Sequence, residues 1–141
     1  MSDTTLRTLN ALRRVRRAET GESRRVMAEA LAGAAAIEAE DAAIAQSIAK
    51  ARHATGDFDR DSFAAWLMRM LAERTRLATA AHAATHRIDT ARAELAQRRL
   101  TQTAVDDAVA AAEAVRDTET ARRDQAMLED TARAISRVSR R

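Results

Sequence analysis

One uninterrupted stretch, residues 61–138, constrains the fold more than any other feature of this chain. It contains no proline and no glycine, and the helix formers Ala, Arg, Leu, Glu and Gln recur along it. The stretch therefore predicts a single helix of about 78 residues, roughly 115 Å long. Because one helix cannot form a core by itself, its apolar stripe must be covered by another segment or by a partner.

The preceding segment predicts a first helix over about residues 4–54. Leucines at positions 6, 9 and 12 begin a helical pattern. Four apolar residues then follow at intervals of eleven: Val15, Val26, Ile37 and Ile48. An eleven-residue period keeps an apolar stripe nearly straight along a helix. Gly21 and Gly33 weaken the helix locally, but the pattern continues through both, so we expect neither to end it.

Residues 55–61 predict the turn between the two helices. Gly56 suits the position after a helix end, and Asp59 or Asp61 suits the N-cap of a second helix over about residues 61–139. So short a connection folds the helices back antiparallel. The expected fold is all-α: a single domain over 1–141, an antiparallel coiled-coil hairpin whose second helix is the longer.

A seam of apolar residues supports the coiled coil. In the second helix the alternating three- and four-residue spacing runs through Leu67, Met70, Leu77, Ala81, Ala84, Ile88, Ala91 and Leu95, interrupted only by Arg74. We expect the register to slip across residues 96–103, where Leu100 leaves the seam. It resumes at Val105, Val109 and Ala112, and re-phases at Leu128, Thr131, Ile135 and Val138.

Charge favours the same antiparallel register. Residues 1–25 carry seven Arg against three acids and would face Asp106, Asp107 and Glu113, whereas the acid-rich segment 26–60 would face Arg69, Arg74, Arg76 and Arg87. Arg98 and Arg99 would face Arg16 and Arg17, which is the exception. Beyond about residue 114 the second helix has no partner in the first, so we expect an uncovered overhang of about 27 residues.

Composition excludes several classes of protein. Three aromatic residues are too few for a compact globular core, and the absence of cysteine excludes disulfide and thiol chemistry. The pI of 10.7 reflects arginine, since all but one of the 24 basic residues are Arg, while the net charge is only +3. No apolar run is long enough to span a membrane, and no hydrophobic signal core precedes residue 17.

The residues offer no catalytic constellation. We find no phosphate-binding glycine loop and no nucleophile paired with a base, and the acids are spread along helix surfaces. We therefore expect no enzyme activity, no cofactor and no small-molecule substrate. His82 and His86 have the spacing of two metal ligands on a helix, with Asp89 one turn later. Two histidines are usually part of a solvated face, so we expect no metal.

Two clusters have both a structural and a functional interpretation. Arg13, Arg14, Arg16 and Arg17 surround Val15, either as a solvated collar around a core valine or as a docking patch for an acidic surface. No aromatic residue near an Arg cluster could stack on bases, which argues against nucleic acid. Phe63, Trp66 and Met70 either pack on Phe58 and Ile48 to close the hairpin or form an exposed protein-docking hot spot.

The chain resembles the flagellar export protein FliJ and its YscO-type relatives in virulence type III secretion. The pattern Leu-x-x-Leu-x-x-Leu-Arg-Arg-Val-Arg-Arg over residues 6–17, the fold-back near residue 57 and the aromatic start of the second helix (Phe63-Ala-Ala-Trp66-Leu67) carry the likeness. Residues 124–130 are similar to the family signature Glu-Gln-Lys-x-Leu-Asp-Glu, with Asp124 for the first Glu, Ala126 for the Lys and the last two acids exchanged.

The resemblance implies a stalk of a bacterial flagellum or type III protein export apparatus, cytoplasmic and peripheral to the inner membrane. Its partners would be the hexameric export ATPase, the export-gate membrane protein and export chaperones. The resemblance maps gate docking onto Trp66 and Met70, to which we add Phe63. We place an ATPase-engaging tip at Arg13, Arg14, Arg16, Arg17, Leu128, Ile135 and Val138. The departure at Ala126 affects any contact that needs a lysine there.

Three other functions fit an Ala- and Arg-rich coiled coil. A phasin-like coat protein would need a continuous, wide apolar face, whereas this stripe is narrow and mostly Ala. An Arg-rich nucleic-acid-binding coiled coil would bind DNA or RNA with a steep salt dependence. A self-assembling scaffold would form a stable oligomer without any ATPase.

Overall fold

A computed structural model describes residues 3–54 and 59–140 of the 141-residue chain. It contains two α-helices, α1 over Asp3–His53 and α2 over Arg60–Val138, of 51 and 79 residues. The all-α hairpin with a longer second helix is confirmed, and both helices lie within a residue of the predicted bounds. The expected turn residues Thr55, Gly56 and Asp57, with Phe58, lie outside the described residues.

The start of α2 is fixed by Asp59, one of the two residues expected at the N-cap. The Asp61 backbone N–H donates to Asp59 Oδ1 at 3.4 Å, and the Ser62 hydroxyl donates to Asp59 Oδ2 at 3.1 Å. A carboxylate here satisfies helix-end N–H groups and interacts favourably with the positive end of the helix dipole. At the C-terminal end of α1, the last turn contains Lys50, Arg52 and His53. Basic groups there interact favourably with the negative end of the helix dipole.

The chain divides into two compact units, and each contains a part of both helices. The turn-side unit is Gly21–Gln97, and the terminal unit comprises Met1–Thr20 with Arg98–Arg141. The prediction of a single domain stays a prediction. Within each unit the ion pairs show that the two helices are antiparallel, because residues later in α2 pair with residues earlier in α1. The pairs are Arg74–Asp41 and Arg76–Glu40 in the turn-side unit, and Arg98–Glu19 and Asp106–Arg17 in the terminal unit.

The covered face of α1 follows a heptad pattern, which corrects the eleven-residue stripe. In the turn-side unit, the residues that are at least half-buried include Ser23, Met27, Ala30, Ala34, Ile37, Asp41, Ile44, Ile48 and Ala51. In the terminal unit the same three- and four-residue spacing joins Leu6, Leu9, Arg13, Arg16 and Thr20. Val15 is 53% exposed and Val26 39% exposed, so these two valines lie off the seam.

The seam of α2 largely follows the prediction. Leu77, Ala84, Ala91 and Leu95 are buried in the turn-side unit, as are Val105, Val109 and Ala112 in the terminal unit. Ala80 rather than Ala81 is half-buried. Arg74, the predicted interruption, is half-buried and donates from Nε and Nη2 to the two carboxylate oxygens of Asp41, at 2.8 and 3.1 Å. An ion pair across the seam thus occupies the place of an apolar contact.

The expected register slip across residues 96–103 is not present. Arg98 and Gln102 are half-buried and keep the heptad spacing from Leu95 to Val105. Leu100 is 68% exposed, so it does lie off the seam as expected. The slip was inferred because polar residues occupy the covered positions here, and counting apolar residues alone overlooks them.

Candidate functional site

The last turns of α2 form a tail, residues 120–140, in which every residue is exposed. The tail begins later than the expected residue 114. Glu119 is still half-buried, and Asp3 and Leu6 of α1 line a groove of about 380 Å³ with α2 residues as far as Arg123. Beyond Arg123, no α1 residue is found beside α2 in the part of the chain that is described.

Apolar side chains follow the tail in one stripe. Leu128, Ile135 and Val138 are 66%, 64% and 77% exposed, and Met127, which the sequence interpretation overlooked, is 69% exposed. Leu128, Ile135 and Val138, together with Thr131, repeat at the three- and four-residue spacing of a helix seam, and Met127 lies beside Leu128. We call the set Leu128, Thr131, Ile135 and Val138 the tail stripe. An apolar stripe of this length with nothing over it is typical of a docking surface.

The tail stripe is rotated around α2 away from the seam. At 3.6 residues per turn, the rotation from Ala112, the last buried seam residue, is about 160° for Leu128, 100° for Thr131, 140° for Ile135 and 80° for Val138. If the heptad spacing of the seam is extended beyond Glu119, the residues at seam positions include Arg123, Asp130 and Arg137, which are charged. The tail therefore presents its apolar side away from the side that α1 covers in the rest of the unit.

The charged residues of the tail lie away from the stripe. Helical spacing places all of them except Asp124 on the reverse side: Arg122, Arg123, Glu129, Asp130, Arg133, Arg137 and Arg140. The residues next to the stripe are uncharged and include Ala132 and Ala134. A helix with a wide uncharged side and charges on the reverse side can bind a partner surface that contacts both the stripe and its flanks.

The four arginines near Val15 have two different environments. Arg16 is half-buried and donates from Nη1 to Glu19 Oε2 at 3.0 Å, while Arg17 donates to Asp106 Oδ1 at 3.3 Å. Arg16 thus forms an ion pair within α1, and Arg17 forms one between α1 and α2. Because Val15 is exposed, the interpretation of the arginines as a collar around a core valine is wrong. Arg13 and Arg14 form no ion pair with any described residue. Arg13 lies half-buried on the covered face of α1, so the exposed Arg14 is the cation that a partner could use.

Arg16 and Glu19 belong to a polar layer at the seam. Arg98 Nη1 of α2 lies 3.2 Å from the same Glu19 oxygen that Arg16 binds. Hydrogen bonding from Arg16, the largest cause, and the nearby positive charges lower the pKa of Glu19 below its ordinary value. Thr20, 2% exposed, donates its hydroxyl to the Arg16 carbonyl at 3.0 Å. The Arg16 Nε is buried with no hydrogen-bond partner among the described residues.

The aromatic cluster at the start of α2 is half-buried. Phe63 and Trp66 stack with ring centroids 5.8 Å apart and an interplanar angle of 30°. With Ser62 and Ala51 of α1 they line a groove of about 350 Å³. Met70 is also half-buried, whereas Met68 is 67% exposed. The arrangement agrees in part with each interpretation. The rings lie beside α1, as expected if they close the hairpin, and they border an open groove, as expected of a docking site.

The arginines and the tail stripe do not form one patch. Arg17 binds Asp106, and Met127 is 21 residues further along α2, about 30 Å on the helix axis. The predicted tip residues thus lie on two separate surfaces of the terminal unit. Phe63, Trp66 and Met70 form a third surface, in the turn-side unit.

Other features of the described residues have no assigned chemistry. His82, His86 and Asp89 are exposed, and no group of three or more His, Cys, Asp or Glu side chains within residues 3–54 and 59–140 could hold a metal ion. Over the same residues neither helix is long and apolar enough to cross a membrane. A groove of about 670 Å³ beside the Asp41–Arg74 pair is lined in part by Ile37, Leu71 and Ala78.

Comparisons with known proteins give no match: no family model, curated protein or solved structure is similar to this chain.

Proposed function

We propose that this chain is a non-enzymatic stalk and docking component of a type III protein export apparatus, flagellar or virulence-associated. In this role it links the hexameric export ATPase to the export-gate membrane protein and handles export chaperones. Its location would be cytoplasmic, peripheral to the inner membrane at the export apparatus. The proposal rests on the residues that resemble the FliJ and YscO-type proteins, together with the surfaces those residues form.

The tail stripe is the observation that carries the proposal. A docking helix needs an apolar side that its own chain leaves uncovered, and Leu128, Ile135 and Val138 meet that requirement at 64% exposure or more. Every described residue from 120 onward is exposed, so docking on the stripe would leave the α1–α2 contacts of the terminal unit intact. Arg14, which is exposed and pairs with no described acid, would meet acidic groups of the ATPase and contribute mainly to orientation and association rate.

A second docking surface is proposed at the start of α2 for the export gate. Phe63 and Trp66 are large, rigid rings that border a groove, and such residues supply much of the binding energy in protein interfaces. Met70 lies on the same side one turn later, and its flexible side chain adapts to different partner shapes. Because the rings are half-buried already, docking would cover only their outer edges.

The decisive experiment compares two leucines of matched exposure. Leu128 and Leu100 are 66% and 68% exposed, but only Leu128 belongs to the tail stripe. We expect Leu128→Asp to weaken binding to the export ATPase of the same organism by about tenfold or more, because a charge then enters an apolar contact. Leu100→Asp should leave the affinity unchanged. Equal affinities of both variants and the original chain, measured by calorimetry, would refute the assignment.

A further inference from the structure

A second stripe of helical spacing runs along α1 in the turn-side unit, beside the seam. Its members repeat at intervals of four and three residues, and all of them are exposed: Arg24, Ala28, Leu31, Ala35, Glu38 and Ala42. We call this set the flank stripe. Leu31 is 48% exposed, and a rotation of about 100° separates it from Ala30 of the seam. The flank stripe thus has the spacing of a helix seam and faces solvent.

The two charged members of the flank stripe lie on the same side of α1 as its leucine. Arg24 and Glu38 are each seven residues from Leu31, so each is rotated from it by only about 20°. Neither forms an ion pair with any residue of 3–54 and 59–140. The stripe therefore has a positive charge on one side of Leu31 and a negative charge on the other, each about 10 Å away along the helix.

We propose that the flank stripe pairs antiparallel with the flank stripe of a second copy of this chain. A two-fold axis near Leu31 brings the two leucines together and sets each Arg24 level with Glu38 of the other copy. A parallel pair would instead place arginine beside arginine and glutamate beside glutamate. Such charges determine the orientation of a helix pair more than its affinity, and here they select the antiparallel one.

The opposite flank of α1 lacks this complementarity. Glu29 and Leu31 lie on either side of Ala30, rotated by about 100° in opposite directions. The acid at seven-residue spacing from Glu29 on that flank is Glu22, and both glutamates pair with Arg25 of the same helix. An antiparallel pair on that flank would set acid beside acid. The charges therefore distinguish the flank stripe as the side of α1 that a second copy can cover.

Small side chains allow the two copies of α1 to approach closely. Ala28 and Ala35 lie between the leucine and the charged members, and the distance between packed helices depends on the size of the side chains at the contact. Glu38 also borders the groove of about 670 Å³ that Leu71 and other apolar residues line. Arg24 of the second copy thus meets Glu38 beside an apolar surface, where reduced contact with water strengthens their attraction.

The self-pairing involves none of the residues proposed to bind the export ATPase or the export gate. By symmetry, a dimer has two copies of the tail stripe and two of the aromatic cluster, so both kinds of docking surface become bivalent. The self-pairing does not rest on the proposed export function. It is tested with this chain alone, so its failure is distinct from failure of the ATPase assignment.

A charge exchange tests the partner and the register together. Arg24→Glu and Glu38→Arg each place like charges side by side twice, and each variant alone should dimerise about tenfold less tightly. An equal mixture of the two variants restores both opposite-charge pairs and should recover a heterodimer of nearly the original affinity. Arg69→Glu is the matched control and should have no effect. Arg69 is an exposed arginine of the same unit, on the side of α2 away from the groove that Glu38 borders.

Cross-linking tests the position of the two-fold axis in the full chain, which has no cysteine of its own. In the proposed dimer the two copies of Leu31 meet at the axis. Ala36 is rotated from Leu31 by about 140°, and its two copies are about 15 Å apart along the helices. Both residues are exposed, so neither substitution disturbs the packing of the single chain. We expect Leu31→Cys to form disulfide-linked dimers about tenfold or more faster than Ala36→Cys.

Sedimentation of the original chain and the charge variants gives the result. A dimer at about 100 μM, weakened in each single variant and regained in the mixture, supports the pairing. A monomer at that concentration would overturn it. A dimer that Arg24→Glu and Glu38→Arg do not weaken would show that the copies meet elsewhere, and equal cross-linking rates at positions 31 and 36 would overturn the proposal in the same way.

Discussion

Arg98 of α2 and Glu19 of α1 are joined by an ion pair of 3.2 Å, in the place where the sequence predicts two facing groups of arginines. Arg16 donates to the same carboxylate oxygen at 3.0 Å. One carboxylate therefore bridges two guanidinium groups on opposite helices and offsets part of their charge. The expected repulsion between Arg98 and Arg16 is replaced by a shared bond, because Glu19 lies one turn after Arg16 on α1.

Glu19→Gln should lower the melting temperature of the chain, because Arg16 and Arg98 would then lie close together without a neutralising charge. Glu22→Gln is the control, since among the described residues Glu22 pairs with Arg25 of its own helix alone. We expect Glu19→Gln to cause the larger decrease in thermal scans followed by circular dichroism. A smaller or equal decrease would show that the ion pair between the helices adds no stability.

Acid should destabilise the fold through carboxylates whose pKa is lowered by arginine. Hydrogen bonds from Arg16 and Arg74 lower the pKa of Glu19 and Asp41, respectively. A depressed pKa contributes stability above the unfolded value and loses it as the pH falls through the folded value. Stability should therefore decrease below about pH 4.5, the ordinary value for glutamate. Asp41→Asn should make the urea midpoint depend less steeply on pH between pH 7 and 3. An unchanged dependence would exclude Asp41 as a source of the acid sensitivity.

Gly33→Ala should stabilise α1. A Cβ placed at Gly33 meets no atom within 4 Å, so the new methyl group fits without strain. Alanine in the interior of a helix is favoured over glycine by about 0.5–1 kcal/mol, largely because the unfolded chain loses less freedom on folding. Urea denaturation at neutral pH should show that gain with an unchanged m value. A loss of stability would mean that the residue has a packing role that the open space does not reveal.

Val109→Ala should destabilise the terminal unit by about 2 kcal/mol, because two buried methyl groups are removed and a cavity remains. Val109 is fully buried at 0% exposure, whereas Val115, six residues later, is 44% exposed. Val115→Ala is the matched control and should cost much less. Equal losses for the two valines in urea denaturation would contradict the assigned seam.

The sequence predicted the two helices and their direction because breakers and charge pattern determine both. The 61–138 stretch has no residue that ends a helix, and the opposite charges of Asp41 and Arg74 meet as expected. The stripe of α1 was wrong because large apolar residues were followed instead of spacing. Thr20 and Ser23 are buried at 2% and 6% exposure, and a search for polar residues at heptad positions would have found them.

The candidate surfaces were predicted in part. Leu128, Ile135 and Val138 are exposed as expected, since nothing in α1 extends beside them. The sequence could not show that Arg16 and Arg17 are used in ion pairs, because these depend on which α2 residues lie opposite. Met127 was missed because the heptad template passes through Leu128, although a tail with no covering helix exposes both residues.

The central claim is that the tail of α2 takes part in docking and not in folding, and a chain that ends after Arg123 tests it most directly. The truncated chain keeps every buried residue and loses the tail stripe. We predict that its melting temperature matches that of the full chain at low concentration, while binding to the export ATPase, measured by co-sedimentation, disappears. Unchanged co-sedimentation, or loss of the helical signal in the truncated chain, would contradict the account.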